Sequence, residues 1–254
     1  MKRSIFVIAL AILGLFASQA RADDPPPPWL SQAAGASVPT YDKDVPAVVL
    51  QNETKVSLSS DGHLVSTEVY AIKLLTRDGK ALAIAHAPYL ASATKVRDIE
   101  AWIIRPDGTS KTYDKKVTVD MISDPDDVYN EGRLKIIDAS GDVDTGYVFG
   151  YTATTEESPL FYQDAWSFQN RLPTLVSRYS LTLPSGWTAK SMTFNAPEVK
   201  PQVSGTTYTW EMRGMAPIPP EPMTERMSYP RTRGSDGSRG SCGGGVIGGR
   251  PRRT

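Results

Sequence analysis

His63-Leu64-Val65-Ser66-Thr67-Glu68-Val69-Tyr70-Ala71-Ile72-Lys73-Leu74-Leu75 is the stretch on which the fold turns. Val65, Thr67, Val69 and Ala71 share one parity, and Tyr70, Ile72 and Leu74 share the other. A period of two with β-branched and aromatic residues predicts a strand, because apolar positions on a helix recur every three to four residues. Asp61-Gly62 precedes the run and Asp78-Gly79 follows it. Asp-Gly between β-rich segments is a hairpin signal. Arg105-Pro106-Asp107-Gly108 makes a third turn, since Pro presets φ and Gly accepts positive φ.

Working outward, the turns link Val45–Leu50 and Glu53–Leu58 to Ala81–Ala85 and Val96–Arg105. In the last of these, Val96, Trp102 and Ile104 are set against Ile99, Ala101 and Ile103. Further strands are expected at Arg133–Asp138, Tyr147–Thr154, 161–169, Leu175–Leu183, Thr188–Phe194 and Thr206–Met212. Residues 113–131, broken at Asp124-Pro125-Asp126-Asp127, read as irregular with one helical turn. No window sustains a capped 3.6-residue period. The reading is an all-β chain, an immunoglobulin-like antiparallel β-sandwich with disordered termini, and a closed barrel as the alternative.

The ends differ in kind from the middle. Residues 1–22 combine Met1-Lys2-Arg3, an apolar run from Ile5 to Phe16, and Ala20-Arg21-Ala22. This is the pattern of a secretory signal peptide. Twelve helical residues reach only about 18 Å against roughly 30 Å of hydrocarbon, so a membrane anchor is not expected. The mature chain is expected to be exported, periplasmic or extracellular, with no membrane span. Residues 23–43 read as a Pro-rich linker that does not pack, 44–216 as the sandwich, and 217–230 as a Pro-rich exit. Residues 231–254, rich in Arg, Gly and Ser, read as a disordered tail and, from the abrupt switch in composition, as a non-native terminus.

The formal charge of zero is a sum over unlike segments. Residues 1–22 hold three bases and no acid, and 231–254 hold six Arg and one Asp. Residues 23–230 therefore carry 19 positive and 27 negative charges, net −8. An acidic body lacks the concentrated basic face of a nucleic-acid groove. One Cys excludes an internal disulfide framework. That residue, Cys242, lies in the tail, where nothing fixes a base or an oxyanion site beside it.

Candidate chemistry is sparse, and no cofactor or catalytic residue is assigned. His63 and His86 are the only imidazoles, both expected at strand ends or loops, with no Gly-x-Ser-x-Gly and no metal-type His spacing. Asp138, Asp142 and Asp144 are weak calcium candidates, hard oxygen donors without the order of an EF-hand loop; Asp124, Asp126 and Asp127 form a second cluster. Tyr162, Trp166 and Phe168 share a parity with Asp164 and are the weak candidates for stacking a sugar or gripping a peptide. Core burial is the commoner use of such rings, and Asp164 would then need a partner, Arg171 or Arg178.

Ser158-Pro159-Leu160-Phe161-Tyr162-Gln163-Asp164-Ala165-Trp166-Ser167-Phe168-Gln169, followed by Leu172-Pro173-Thr174 and Ser177-Arg178-Tyr179, resembles the domain of unknown function 3857 family. So do Ala71-Ile72-Lys73-Leu74-Leu75 with Asp78-Gly79, and Ile99-Glu100-Ala101-Trp102-Ile103-Ile104 with Pro106-Asp107-Gly108. The resemblance implies a β-sandwich module in exported bacterial proteins, set before a transglutaminase-like domain that supplies a Cys–His–Asp triad. No triad residue transfers to this chain. The resemblance implies a non-catalytic accessory module that docks a transglutaminase-like domain, or another exported protein, or presents substrate to it. An exposed apolar patch where residues 210–225 leave the sandwich is expected on that reading. The alternative is a stand-alone module that binds a glycan or a peptide.

Overall fold

The computed structural model describes residues 25–124, 131–160 and 162–219, and the backbone alone of residues 244–251. In chain order a short helix α1 (Pro28–Ala34) is followed by β1 (Ala47–Leu58), β2 (Leu64–Leu74), β3 (Ile84–Leu90), β4 (Thr94–Ile104), β5 (Ser110–Tyr113), β6 (Val119–Ile122) and β7 (Gly132–Asp138). Then come β8 (Val148–Glu157), β9 (Gln163–Ser167), β10 (Thr174–Thr182), β11 (Trp187–Thr193), β12 (Gln202–Ser204), β13 (Thr207–Met215) and β14 (Gly244–Pro251).

An eight-stranded sheet, ordered β12-β13-β10-β1-β2-β8-β4-β5, forms the body. Two three-stranded sheets, β3-β7-β6 and β11-β14-β9, cover the same face of it side by side. Under β3 and β7, Ile72, Leu74, Ile99, Ile103, Phe149 and Tyr151 meet Ala85, Ala87 and Ile137. Under β9 and β11, Val56, Leu58, Tyr179, Leu181 and Trp210 meet Trp166, Trp187 and Ala189. The chain is all-β, as its pattern predicts.

Register irregularities explain how one strand serves both cores. β1 slips between Val49 and Gln51 against β2. That bulge returns Val56 and Leu58 to the face that Ala47 and Val49 occupy, despite opposite parity. A second bulge between Val96 and Asp98 in β4 does the same for Val96. The strict alternation read from the sequence set Val96 against Ile99; the bulge brings both to one core.

Several expectations need correction. The sheet is not wholly antiparallel, because β1 and β10 pair in parallel from Val49–Thr174 to Ser57–Thr182. Asp61-Gly62 and Asp107-Gly108 do turn hairpins, with Gly62 at φ +90° and Gly108 at +85°. Asp78-Gly79 does not. It lies in a 3-10 turn, Arg77–Leu82, that carries the chain from the large sheet up to β3. β5, β6 and β12 carry no strand signal in the sequence; they are three or four residues long, too short for alternation to register.

The 23–43 linker is the larger correction. Pro28 occupies the first turn of α1, where its missing N–H costs nothing. The helix packs on the rear face of the large sheet, with Leu30 and Ala33 buried against Val48, Leu50, Ala71, Trp102 and Val148. Trp29 meets Trp102 edge to face at 6.2 Å. Gly150 makes room for it, since a Cβ there would stand 2.5 Å from Leu30 Cδ1. Leu30→Ala is therefore expected to cost about 2–4 kcal/mol in urea denaturation, the ordinary loss for a buried leucine. A cost near zero would show that α1 only rests on the sheet.

The tail also departs from expectation at its end. Gly244–Pro251 runs antiparallel to β11 on one side and to β9 on the other. Without it, β9 and β11 would each present unpaired N–H and C=O groups toward the gap, and the segment that fills the gap gains those hydrogen bonds. Residues 1–22, read as a signal peptide, Asp126, Asp127 and residues 231–243 with Cys242 lie outside the described residues.

Candidate functional site

The hairpin at Asp61-Gly62 delivers His63 and Leu64 to the end of β8, because β2 and β8 pair with Leu64 opposite Glu157. β4 begins on the other side of β8, with Thr94 also opposite Glu157. From β8 the chain turns through Ser158 and Pro159 toward β9. Two depressions open around this junction and share Glu157 as a common wall.

The first is a cavity of about 260 Å³ between the large sheet and β9. Its floor is Val56, Leu58, Leu181 and Leu183, with Leu64 and Ser66 from β2, and its mouth carries Glu157, Tyr162 and Asp164. Tyr179 lies beneath and donates its hydroxyl to Asp164 Oδ2 at 2.7 Å. Burial, and then the Asp164 charge and hydrogen bond, push the Tyr179 phenol far above its ordinary range. It stays a neutral donor at any physiological pH.

The second depression, about 430 Å³ and open to solvent, is lined by His63, Ser92, Lys95, Arg97, Glu156 and Ser158 among others. His63 Nδ1 lies 3.0 Å from Ser158 Oγ. This contact, across 95 positions of sequence, was not foreseen, and no local motif could have announced it. The nearest carboxylates are 3.9 Å from the ring, Asp61 Oδ2 at Nε2 and Glu156 Oε1 at Nδ1. That is beyond hydrogen-bond reach. Asp61 is engaged by the Ser59 hydroxyl, which holds its carboxyl below the usual carboxylate range. Glu156 is paired with Arg97. His63 itself is 49 % exposed.

The other histidine is not the surface residue expected. His86 sits within β3, half-buried, with Nδ1 3.2 Å from the hydroxyl of buried Tyr151, which donates to Glu68 at 2.6 Å. Tyr162, Trp166 and Phe168 do share a face, and it is the core face. Phe168 is buried, Trp166 donates to Ser177 Oγ at 3.2 Å, and Tyr162 meets Trp187 edge to face at 5.4 Å. Asp164 finds its partner in Tyr179, not in Arg171 or Arg178. Only Tyr162 of the three aromatics reaches the cavity.

The calcium candidates point to separate tasks. Asp138 accepts from the Ser140 amide at 2.8 Å, and Asp144 from the Thr145 amide at 2.8 Å. Asp142 accepts from Lys111 and from the Tyr113 hydroxyl, both at 2.6 Å. No group of three or more acidic, His or Cys side chains converges among the described residues. Asp124 is described; its neighbours Asp126 and Asp127 are not. Among the described residues, no helix is long and apolar enough to cross a membrane.

Against solved structures, the fold matches a protein from Parabacteroides distasonis described as a putative protease, with TM-score 0.60 at 13 % identity. The match covers 80 % of this chain and 40 % of that one, so the chain spans about two fifths of its length. Yeast LTA4 hydrolase in complex with bestatin follows at TM-score 0.38 and 12 % identity, over 88 % of this chain and 33 % of that one. An M1 zinc metallopeptidase from Deinococcus radiodurans stands at 0.36 and 9 %, over 81 % and 42 %. These two likenesses are too slight to carry an argument. No curated protein matches. The family described as a domain of unknown function with a solved structure, DUF3857, matches residues 60–219, which takes in β2 to β13, the second depression, and the first apart from Val56 and Leu58. The chain belongs to the DUF3857 family.

Proposed function

We propose that this chain is a non-catalytic accessory module of an exported protein, which docks a transglutaminase-like catalytic domain and presents polypeptide to it. The observation that carries the reading is the one-sided coverage: most of this chain corresponds to two fifths of a longer chain described as a putative protease. The geometry at His63 supports it. A working Ser–His–acid relay needs its carboxylate in hydrogen-bond contact with the imidazole, and here both carboxylates stand off at 3.9 Å.

The apolar patch expected at residues 210–225 finds no support in its described part. Residues 210–219 expose no large apolar side chain, and 220–225 lie outside the described residues. Exposed apolar side chains gather instead around β6, at Val117, Val119, Met121 and Ile122, the edge strand of β3-β7-β6 among the described residues. Titration of the full chain with a transglutaminase-like domain from a longer DUF3857 protein should give saturable binding by calorimetry. Val119→Asp with Met121→Asp should abolish it. No heat of binding with the unmutated chain would remove the docking reading.

The non-catalytic part has its own check. A panel of ester and amide substrates should show no turnover that His63→Ala or Ser158→Ala removes. Turnover lost in both variants would make this a hydrolase. Peptide binding is the second reading, favoured by the cavity beside Glu157.

A further inference from the structure

The 260 Å³ cavity joins two chemically opposite features. Its floor is aliphatic, built from Val56, Leu58, Leu181 and Leu183. Its mouth holds two carboxylates, Glu157 and Asp164, and no basic side chain stands among the described residues that line it. The known bonds of these acids leave them able to take more. Asp164 accepts from Tyr179 at Oδ2 and from the Ala165 amide at Oδ1, and Glu157 accepts from Thr94 at 3.3 Å. Each carboxylate oxygen has room for two donors. An apolar ligand would fill the floor and leave the two carboxylates of the mouth without a counter-charge. A small hydrophilic cation would satisfy the mouth and leave the floor wet. A linear aliphatic stem with a cationic tip satisfies both, because such side chains bury the stem and keep the charge at the rim.

We propose that this cavity binds the side chain of a lysine presented by an extended polypeptide, with its methylenes on the leucine and valine floor and its ammonium between Glu157 and Asp164. The polypeptide is indicated by what adjoins the cavity. Across Glu157 lies the open 430 Å³ depression, lined by Lys95 and by the hydroxyl oxygens of Ser92, Thr94 and Ser158, which meet Glu131, Glu157 and His63 and keep lone pairs to accept from a main chain. A free amine would leave that depression unused. The net charge of −8 over residues 23–230 adds long-range attraction for a basic partner. This inference goes beyond the docking reading and does not require a catalytic neighbour.

The test uses the full mature chain and two pentapeptides, Gly-Gly-Lys-Gly-Gly and the same peptide with norleucine, which keeps the stem and lacks the charge. Trp187, in contact with Tyr162 at the cavity mouth, supplies the fluorescence readout. The lysine peptide should bind at least tenfold more tightly than the norleucine peptide, and 0.5 M salt should weaken only the former. Glu157→Gln with Asp164→Asn should remove the lysine preference and leave norleucine binding unchanged. Ser66→Trp, which fills the cavity from a half-buried strand position, should abolish both. Circular dichroism checks each fold, and Ser66→Gln stands in if the tryptophan variant fails to fold. Equal binding of the two peptides overturns the cationic assignment. Competition by n-butylamine as tight as the lysine peptide overturns the polypeptide. Failure of both peptides to bind overturns the site, whatever the outcome of the docking titration.

Discussion

Arg178→Met should lower stability by about 2–4 kcal/mol, somewhat under the 3–5 kcal/mol of a fully buried broken pair because the arginine head is partly exposed. The cost comes from what the arginine leaves behind. The parallel register sets Glu53 on β1 beside Arg178 on β10, and the antiparallel register sets Arg178 beside Glu211 on β13. Glu53 is only 4 % exposed, while Arg178 is 30 % exposed. Arg178 lies 3.5 Å from Glu53 and 2.6 Å from Glu211, and Arg213 holds the other oxygen of Glu211 at 2.6 Å. Without Arg178, Glu53 keeps the Gln51 amide at 2.7 Å and Lys55 at 3.9 Å. That is thin compensation for a carboxylate out of water. Adding Glu53→Met to Arg178→Met should recover more than half of the loss, since removing both partners spares the orphaned charge. Urea denaturation with unchanged slope reads both steps. A double variant no better than the single one would falsify the orphan-charge account.

The same row sets a pH dependence. Burial raises the Glu211 carboxyl, but the hydrogen bonds and charges of Arg178 and Arg213 outweigh it and hold it below its ordinary value. Asp142 is held low by its hydrogen bonds from Lys111 and Tyr113. A carboxylate whose folded pKa is depressed contributes stability above its unfolded value, about 4, and loses it as pH falls through the folded value. The urea midpoint should therefore be flat from pH 7 to about 5 and decline below about 4. In Arg178→Met the Glu211 part of that decline should shrink.

The sequence displayed the fold wherever a strand was long and its alternation unbroken. β2, β8, β10 and β13 lie within a few residues of where parity and turn chemistry put them. It failed where the determinant was a neighbour. Nothing in Pro28–Ala34 announces a helix; seven residues are marginal alone and are held by the apolar rear face that receives Leu30. The parallel pairing of β1 with β10 joins segments more than a hundred residues apart, which no local signal encodes. The aromatic parity of Tyr162, Trp166 and Phe168 was legible, and so was the need of Asp164 for a partner. That the partner is Tyr179 depends on how β9 lies over β10. The candidate site was less legible still, because Leu64 and Glu157 come together only through the β2–β8 pairing, and Asp164 on β9 joins them only when the sheets stack.

Gly79 is the position where one added carbon should cost most. A Cβ there would lie 2.4 Å from the Pro46 carbonyl oxygen and 3.2 Å from its carbon, both backbone, with Leu74 Cδ2 at 3.4 Å. Gly150 is also crowded, but by side-chain ends of Leu30 and Trp29. The atoms that crowd Gly79 most are the backbone of Pro46. Its carbonyl accepts from the amides of Leu75 at 2.9 Å and Thr76 at 3.2 Å, so moving it opens the start of β1 and the end of β2 together. The glycine is not there for a left-handed φ, since its backbone angle is not positive. It is there because the 3-10 turn that lifts the chain off the large sheet presses against the first strand. Gly79→Ala should therefore destabilise by about 3 kcal/mol, at the upper end of overpacking. Gly108→Ala, whose Cβ meets nothing within 4 Å but sits at φ +85°, should cost only about 1 kcal/mol of local strain. A reversed order in thermal or urea denaturation would mean that the close approach of the turn to Pro46 does not hold the upper sheet in place.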